Sequence, residues 1–117
     1  MVFFAIILNE GVRHIGNIKL GPINPFHRYG DIGIIIGDKK SWGKGFAKEA
    51  IALLMDTAFK KLKLHKVTAG CYAPNKGSQK AFLANGFRVA GIRKNQYRSG
   101  NGYCNEILLE KINSKHL

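Results

Sequence analysis

The sequence predicts an α/β (α+β) fold, a mixed β-sheet flanked by helices in the order β-β-β-α-β-α-β-β. Three observations carry this. Short β-like runs rich in Ile and Val open and close the chain. Between them lies one long segment whose apolar residues recur every three or four positions. A second, shorter helical segment is set between two later β-like runs, and a helix joining successive strands favours a mixed sheet over an all-antiparallel one. The 117 residues, 45% of them hydrophobic, suit a single domain spanning 1–117 around one core.

The elements follow in order. Val2 to Leu8 and Ile15 to Ile23 read as two early strands, with Asn9-Glu10-Gly11 as a tight connection. Pro22 and Pro25 frame a turn and argue against a central strand near them, because proline donates no ladder hydrogen bond. Tyr29 to Ile36 is the third strand, ending at Gly37-Asp38. Ala47, Ala50, Ile51, Leu54, Ala58 and Leu62 then form the apolar stripe of a helix from about Gly45 to Lys61, widened by Met55 and Phe59. Lys48, Glu49, Asp56, Lys60 and Lys61 take its polar side. Lys66 to Tyr72 is the fourth strand, closed by Pro74-Asn75. A short helix from Lys76 or Gly77 to Ala84 ends at Asn85-Gly86, which suits a left-handed cap. Phe87 to Tyr97 and Tyr103 to Ile112 are the last strands, and Asn113 to Leu117 is expected to fray.

Composition narrows the partners. Nineteen Lys and Arg against seven Asp and Glu give a formal charge of +12, a surface that attracts anions in general. No apolar run approaches the ~20 residues of a membrane-spanning helix, and the apolar start reads as a strand rather than a signal peptide. A membrane partner is therefore not expected. Two cysteines, Cys71 and Cys104, supply neither a disulfide framework nor a metal quartet. They read as reduced thiols in a cytoplasmic protein, with no metal expected.

The chemically informative segment runs from Gly37 to Ala47, between a strand and an amphipathic helix. Glycines there let the backbone approach a ligand closely. Amides of the first helical turn lack intrahelical acceptors and can point at a phosphate, and Lys40 and Lys44 add charge. Two known phosphate motifs fail. No Gly-Lys-Ser/Thr falls at the offset from Gly37 that a Walker A loop needs, and Lys48 stands where a dinucleotide fingerprint has its third glycine. Spacing alone does not choose between a phosphate cradle and a plain tight turn at Gly43 and Gly45.

Lys40-x-x-Gly43-x-Gly45, followed by Ala47 and Glu49, resembles the acetyl-coenzyme A signature of the GNAT N-acetyltransferase superfamily, with Lys40 in place of the usual Arg or Gln. Trp42 to Ala50, Leu64-His65-Lys66-Val67, Asn75-x-x-Ser78 and Asn85-Gly86-Phe87 fall in the order and spacing of its branch of ribosomal-protein and amino-sugar acetyltransferases. The resemblance spans about Ile15 to Leu109. It implies an acyl-CoA N-acyltransferase-like fold and direct transfer of an acetyl group from acetyl-CoA to an amine. Lys40 and the amides of Trp42, Gly43, Lys44, Gly45, Phe46 and Ala47 would hold the pyrophosphate. Asn75 would hold the pantetheine arm, or cap the following helix.

Many relatives place a tyrosine acid seven residues past that Asn, where this chain has Phe82. The branch instead uses a serine three residues past it, matched here by Ser78, which is also a plausible helix-start hydroxyl. Asp31 and Glu106 are the candidate general bases, with Asn105 competing for the alignment of Glu106. His65 reads as a packing or surface residue. The family opens with a further strand and one or two helices that wall the acceptor pocket. The chain thus reads as N-terminally short, which favours a truncated product or a homo-oligomer whose partner supplies the wall.

The expected acceptor is a small amino sugar or nucleotide-linked amino sugar, with a protein N-terminus as the alternative. A non-catalytic CoA-binding or assembly domain is the second class. A nucleic-acid binder, suggested by Tyr97 near Arg93, Lys94 and Arg98, is not expected. A backbone binder has no use for the strand-loop-helix arrangement.

Overall fold

The computed structural model describes residues 2–8, 13–36 and 45–114, with side chains for 16–34 and 45–114. The element order is the expected one. Strands β1 (Val2–Leu8), β2 (Arg13–Asn24) and β3 (Tyr29–Ile36) precede helix α1 (Phe46–Asp56), and β4 (Lys66–Tyr72) precedes helix α2 (Lys76–Ala84). Strands β5 (Arg88–Ser99) and β6 (Gly102–Ile112) follow. The six strands form one sheet in the order β1-β2-β3-β4-β6-β5. Neighbours are antiparallel except β3 and β4, which run parallel.

Both helices pack on one face of this sheet. Alternation along β4 sends Val67, Ala69 and Cys71 into the core, and Thr68, Gly70 and Tyr72 to the other side. The core joins these three to Ile18, Leu20 and Ile32 from the sheet, and to Ile51, Leu54, Met55, Ala81 and Phe82 from the helices. Phe82, only 1% exposed, meets Phe87 edge to face at 5.0 Å, a favoured aromatic geometry. Gly86 takes a left-handed φ of 84° directly after α2, as its cap position requires.

Several expectations need correction. The long helix is α-helical only to Asp56. It continues as a π-helical turn over Thr57–Lys61, in which the Leu62 amide donates to the Thr57 carbonyl. This wider turn breaks the α-helical phase. Leu62, expected in the stripe, is therefore 41% exposed, while Leu64 is buried.

Pro22 lies within β2, an inner strand, despite the rule against it. It is tolerated at an irregularity, because the β2–β3 register slips between Leu20 and Ile23. Asn113 is not frayed. It is buried at 6% exposure, and its backbone and side-chain amides donate to the carbonyls of His65 and Leu64. The Asn9-Glu10-Gly11 connection lies outside the described residues. No helix among those described is long and apolar enough to cross a membrane.

Candidate active site

The parallel strands β3 and β4 pair over only four positions, from Tyr29↔Lys66 to Ile32↔Ala69. Beyond that point β3 runs on to Ile36 and β4 to Tyr72 without pairing with each other. The sheet therefore opens into a fork at the C-terminal ends of its two parallel strands, the end at which open α/β sheets place ligands. Strands β6 and β2 stay paired to the outer sides of the fork and keep both arms rigid.

Different chemistry meets the fork from the two faces. On the helical face, the side-chain oxygen of Asn75 caps α2 by accepting from the Ser78 amide at 3.0 Å. The cap is an ordinary Asx arrangement, and it holds Ser78 at the helix start. There the Ser78 hydroxyl lies 3.4 Å from the Cys71 sulfur. Burial pushes the Cys71 thiol up from its ordinary value, against the lowering effect of the Ser78 contact. The thiol thus stays neutral, and no nucleophilic role is assigned to it.

On the opposite face, the Thr68 hydroxyl donates to Asp31 at 2.7 Å from the adjoining strand. Burial raises the affinity of Asp31 for a proton, with the Glu106 charge adding to it, against the Thr68 bond and Lys19. Glu106 projects from β6 beside Tyr72 in the register and leans over Gly70. It accepts a hydrogen bond from the Tyr97 hydroxyl at 2.5 Å and sits 3.7 Å from Arg93. A cavity of about 410 Å³ lies here, lined by Asp31, Thr68, Gly70, Arg93, Glu106 and Glu110 among others. Glu110, four residues along β6 from Glu106, is held by Lys66 at 3.0 Å and by Arg88. The Lys66 bond is the largest of the effects that keep its carboxyl below the ordinary glutamate value.

The structure thus brings Asp31 and Glu106 to one cavity and sets Asn75 and Ser78 across the sheet from them. Asn105 turns to a structural task, accepting the Asn95 amide at 3.0 Å. Phe82 sits in the core. Of the expected phosphate loop, Gly45 precedes α1 with a left-handed φ of 81°, followed by Phe46 and Ala47 in the first turn. Lys40, Trp42, Gly43 and Lys44 lie outside the described residues. Among those described, no group of three or more His, Cys, Asp or Glu is placed to share a metal ion.

Sequence reasoning missed Thr68 and Gly70 as site residues, and it weighed Tyr97 and Arg93 only as part of a nucleic-acid-binding reading that was not expected. A glycine inside a strand pattern, as at Gly70, was the available signal, since it marks a close approach.

A mixed sheet forked between its parallel strands, with a helix starting at each arm, defines an acyl-CoA N-acyltransferase-like domain. Comparison with known proteins agrees. The family described as "Acetyltransferase (GNAT) domain" matches residues 1–88, and the chain belongs to that family.

Among relatives, a probable N-acetyltransferase YjcK from Bacillus subtilis (strain 168) is 46% identical over 59 residues, covering 50% of this chain and 33% of the relative. The ribosomal-protein-S5-alanine acetyltransferase of Vibrio fischeri superposes with a TM-score of 0.87 at 27% identity, covering 96% of this chain and 61% of the other. The spermidine N-acetyltransferase of Vibrio cholerae, solved with CoA and spermine, gives a TM-score of 0.80 at 27% identity over 91% of this chain and 62% of the other. The chain spans between 33% and 59% of the length of the curated relatives it matches.

Proposed function

We propose that this protein transfers an acetyl group from acetyl-CoA directly to a primary amine. The observation that carries the reading is the fork between β3 and β4, with a hydroxyl at a helix start on one face and two carboxylates on the other. A thioester and an amine need that separation. The thioester supplies the activated acetyl group, and the amine approaches it from the far side.

The described residues suit the cosubstrate. Gly45 holds a left-handed conformation at the start of α1, and among the described residues nothing lies within 4 Å of where its Cβ would be. Asn75 uses its side-chain oxygen on the cap, and its amide nitrogen serves the pantetheine arm. Ser78 donates a proton to the departing sulfur. Glu106 accepts the proton the amine must lose, through a water. Asp31, whose proton affinity burial raises, is the second acceptor in the same cavity. Alignment of the two reactants in the fork supplies much of the remaining rate.

The carboxylate pair favours an acceptor that arrives as an ammonium. Amino sugars, polyamines and protein α-amines share that chemistry. Calorimetric titration with acetyl-CoA, followed by turnover of glucosamine, spermidine and an alanine-initiated peptide, tests the reading. One-site binding is expected, weakened in the Gly43→Ala, Gly45→Ala double variant. Ser78→Ala is expected to lower kcat by more than it weakens binding. Binding without turnover of any amine favours a non-catalytic CoA-binding domain instead. No binding by the folded chain rejects the proposal.

A further inference from the structure

We infer that Tyr97 and Gly70 together aim the Glu106 carboxylate at the fork, Tyr97 through its hydroxyl and Gly70 by leaving empty the space that the carboxylate fills. This rests on the proposed role of Glu106 as proton acceptor and names the residues that make it one.

The Gly70 half is steric. A Cβ built on Gly70 would stand 2.4 Å from Glu106 Oε2, well inside any real contact. The carboxylate therefore lies across β4 at the first residue past the last β3–β4 pair. Any other residue at position 70 pushes it away from the fork. The displaced atoms are the far end of a flexible side chain, so the sheet itself survives the change.

The Tyr97 half depends on an irregular strand. Arg93 pairs with Glu106 and Tyr97 with Cys104, so four steps along β5 answer two along β6. The surplus bulges at Asn95, which takes a φ of 52° and donates its amide to the Asn105 side chain. Bulges commonly re-aim a side chain near a site, and this one sends the Tyr97 hydroxyl back to Glu106 Oε2. The Tyr72 ring packs edge to face on Tyr97 at 4.5 Å and fixes its plane. Arg93, at 3.7 Å from the other carboxylate oxygen, is beyond hydrogen-bond range and sets no direction.

Among the described residues, the hydrogen bond to the Glu106 carboxylate comes from Tyr97. Asp31 faces Glu106 from β3, Tyr72 stands opposite it on β4, the Cys71 thiol lies across the sheet within reach of its charge, and Glu110 on β6 is taken by Lys66 and Arg88. The Glu106 contact in turn pushes the Tyr97 phenol up to about 12. Tyr97 thus remains a donor at any pH at which an enzyme of this kind works.

The test uses the full chain and the variants Tyr97→Phe, Gly70→Ala, Glu106→Gln and the Tyr97→Phe, Glu106→Gln pair. Tyrosine Cζ NMR titration needs no acceptor. In Glu106→Gln and Gly70→Ala, the Tyr97 titration is expected to fall towards the ordinary tyrosine value of about 10. With acetyl-CoA and whichever of glucosamine, spermidine or the alanine-initiated peptide is turned over, Glu106→Gln is expected to lower kcat about 100-fold. Tyr97→Phe and Gly70→Ala are each expected to lower it about tenfold, with KM for acetyl-CoA unchanged.

The paired variant is expected to be no slower than Glu106→Gln alone. If Tyr97→Phe slows the Glu106→Gln background as much as it slows the wild type, Tyr97 acts on its own and the inference is wrong. A Tyr97 titration indifferent to both Glu106→Gln and Gly70→Ala overturns it as well. Wild-type turnover by Glu106→Gln removes Glu106 as the base, while the titration still decides whether the aiming contact exists.

Discussion

The two faces of the sheet are built from the same strands and do opposite things. Towards the helices, β4 presents Val67, Ala69 and Cys71 to the buried apolar core, with the Ser78 hydroxyl beside Cys71 at its edge. Towards the other side it presents Thr68, Gly70 and Tyr72, among carboxylates and their cationic or hydroxyl partners. The first face supplies folding free energy through area removed from water. The second holds charges in set positions, and such charges contribute little to stability and sometimes oppose it. A strand with period two can serve both ends at once only if its neighbours keep register, and the four pairs with β3 and seven with β6 provide that.

Substitutions that remove one face at a time sharpen the contrast. The largest effect is expected from Phe82→Ala. Losing the ring that packs on Phe87 should cost about 3–5 kcal/mol in urea unfolding. Next comes the adjacent pair. Val67→Ala should cost about 2 kcal/mol, and Thr68→Val, one residue on, under about 1 kcal/mol. Thr68→Val should instead push the Asp31 carboxyl further up, visible by carboxyl 13C NMR, because it removes the bond that held it down. Equal destabilisation by the two changes would erase the division of labour.

Asp31→Asn is expected to work in the unusual direction. The folded-state proton affinity of Asp31 is raised above the ordinary value of 3.8. Its contribution to stability is therefore fully present below that value and lost as pH rises through the folded-state value. Removing the charge should raise stability near neutral pH by about 1 kcal/mol while lowering turnover. The smallest effect concerns Glu110, whose carboxyl is held below its ordinary value of 4.5, mainly by Lys66. Its contribution is present above 4.5 and lost as pH falls through the depressed folded-state value. Glu110→Gln should flatten that acid limb by no more than about 1 kcal/mol.

What the sequence disclosed follows the range of the interactions involved. The stripe from Ala47 to Ala58, the strand period of Lys66 to Tyr72 and the left-handed Gly86 are set by neighbours in the chain, and each was readable. Leu62 escaped because a π turn shifts phase without a residue signature. Asn113 escaped because its partners, His65 and Leu64, belong to a distant segment. The site divides in the same way. Ser78 and Asn75 share one helix start, so their contact was legible at a spacing of three. Glu106 was named with its alignment unsettled, because the two-for-four register of β5 and β6 has no counterpart in pattern. Tyr97 was noticed for its basic neighbours, yet it engages a carboxylate.

The shortness of the β3–β4 pairing has a mechanical consequence. Strands β1, β2 and β3 form one antiparallel plate and β4, β6 and β5 another, stitched along a seam of four residue pairs. Within each plate the ladders are longer than that seam. Slow amide exchange should therefore be deepest inside the plates, and the backbone of Tyr29 to Ile32 and Lys66 to Ala69 should report first on anything wedged between them.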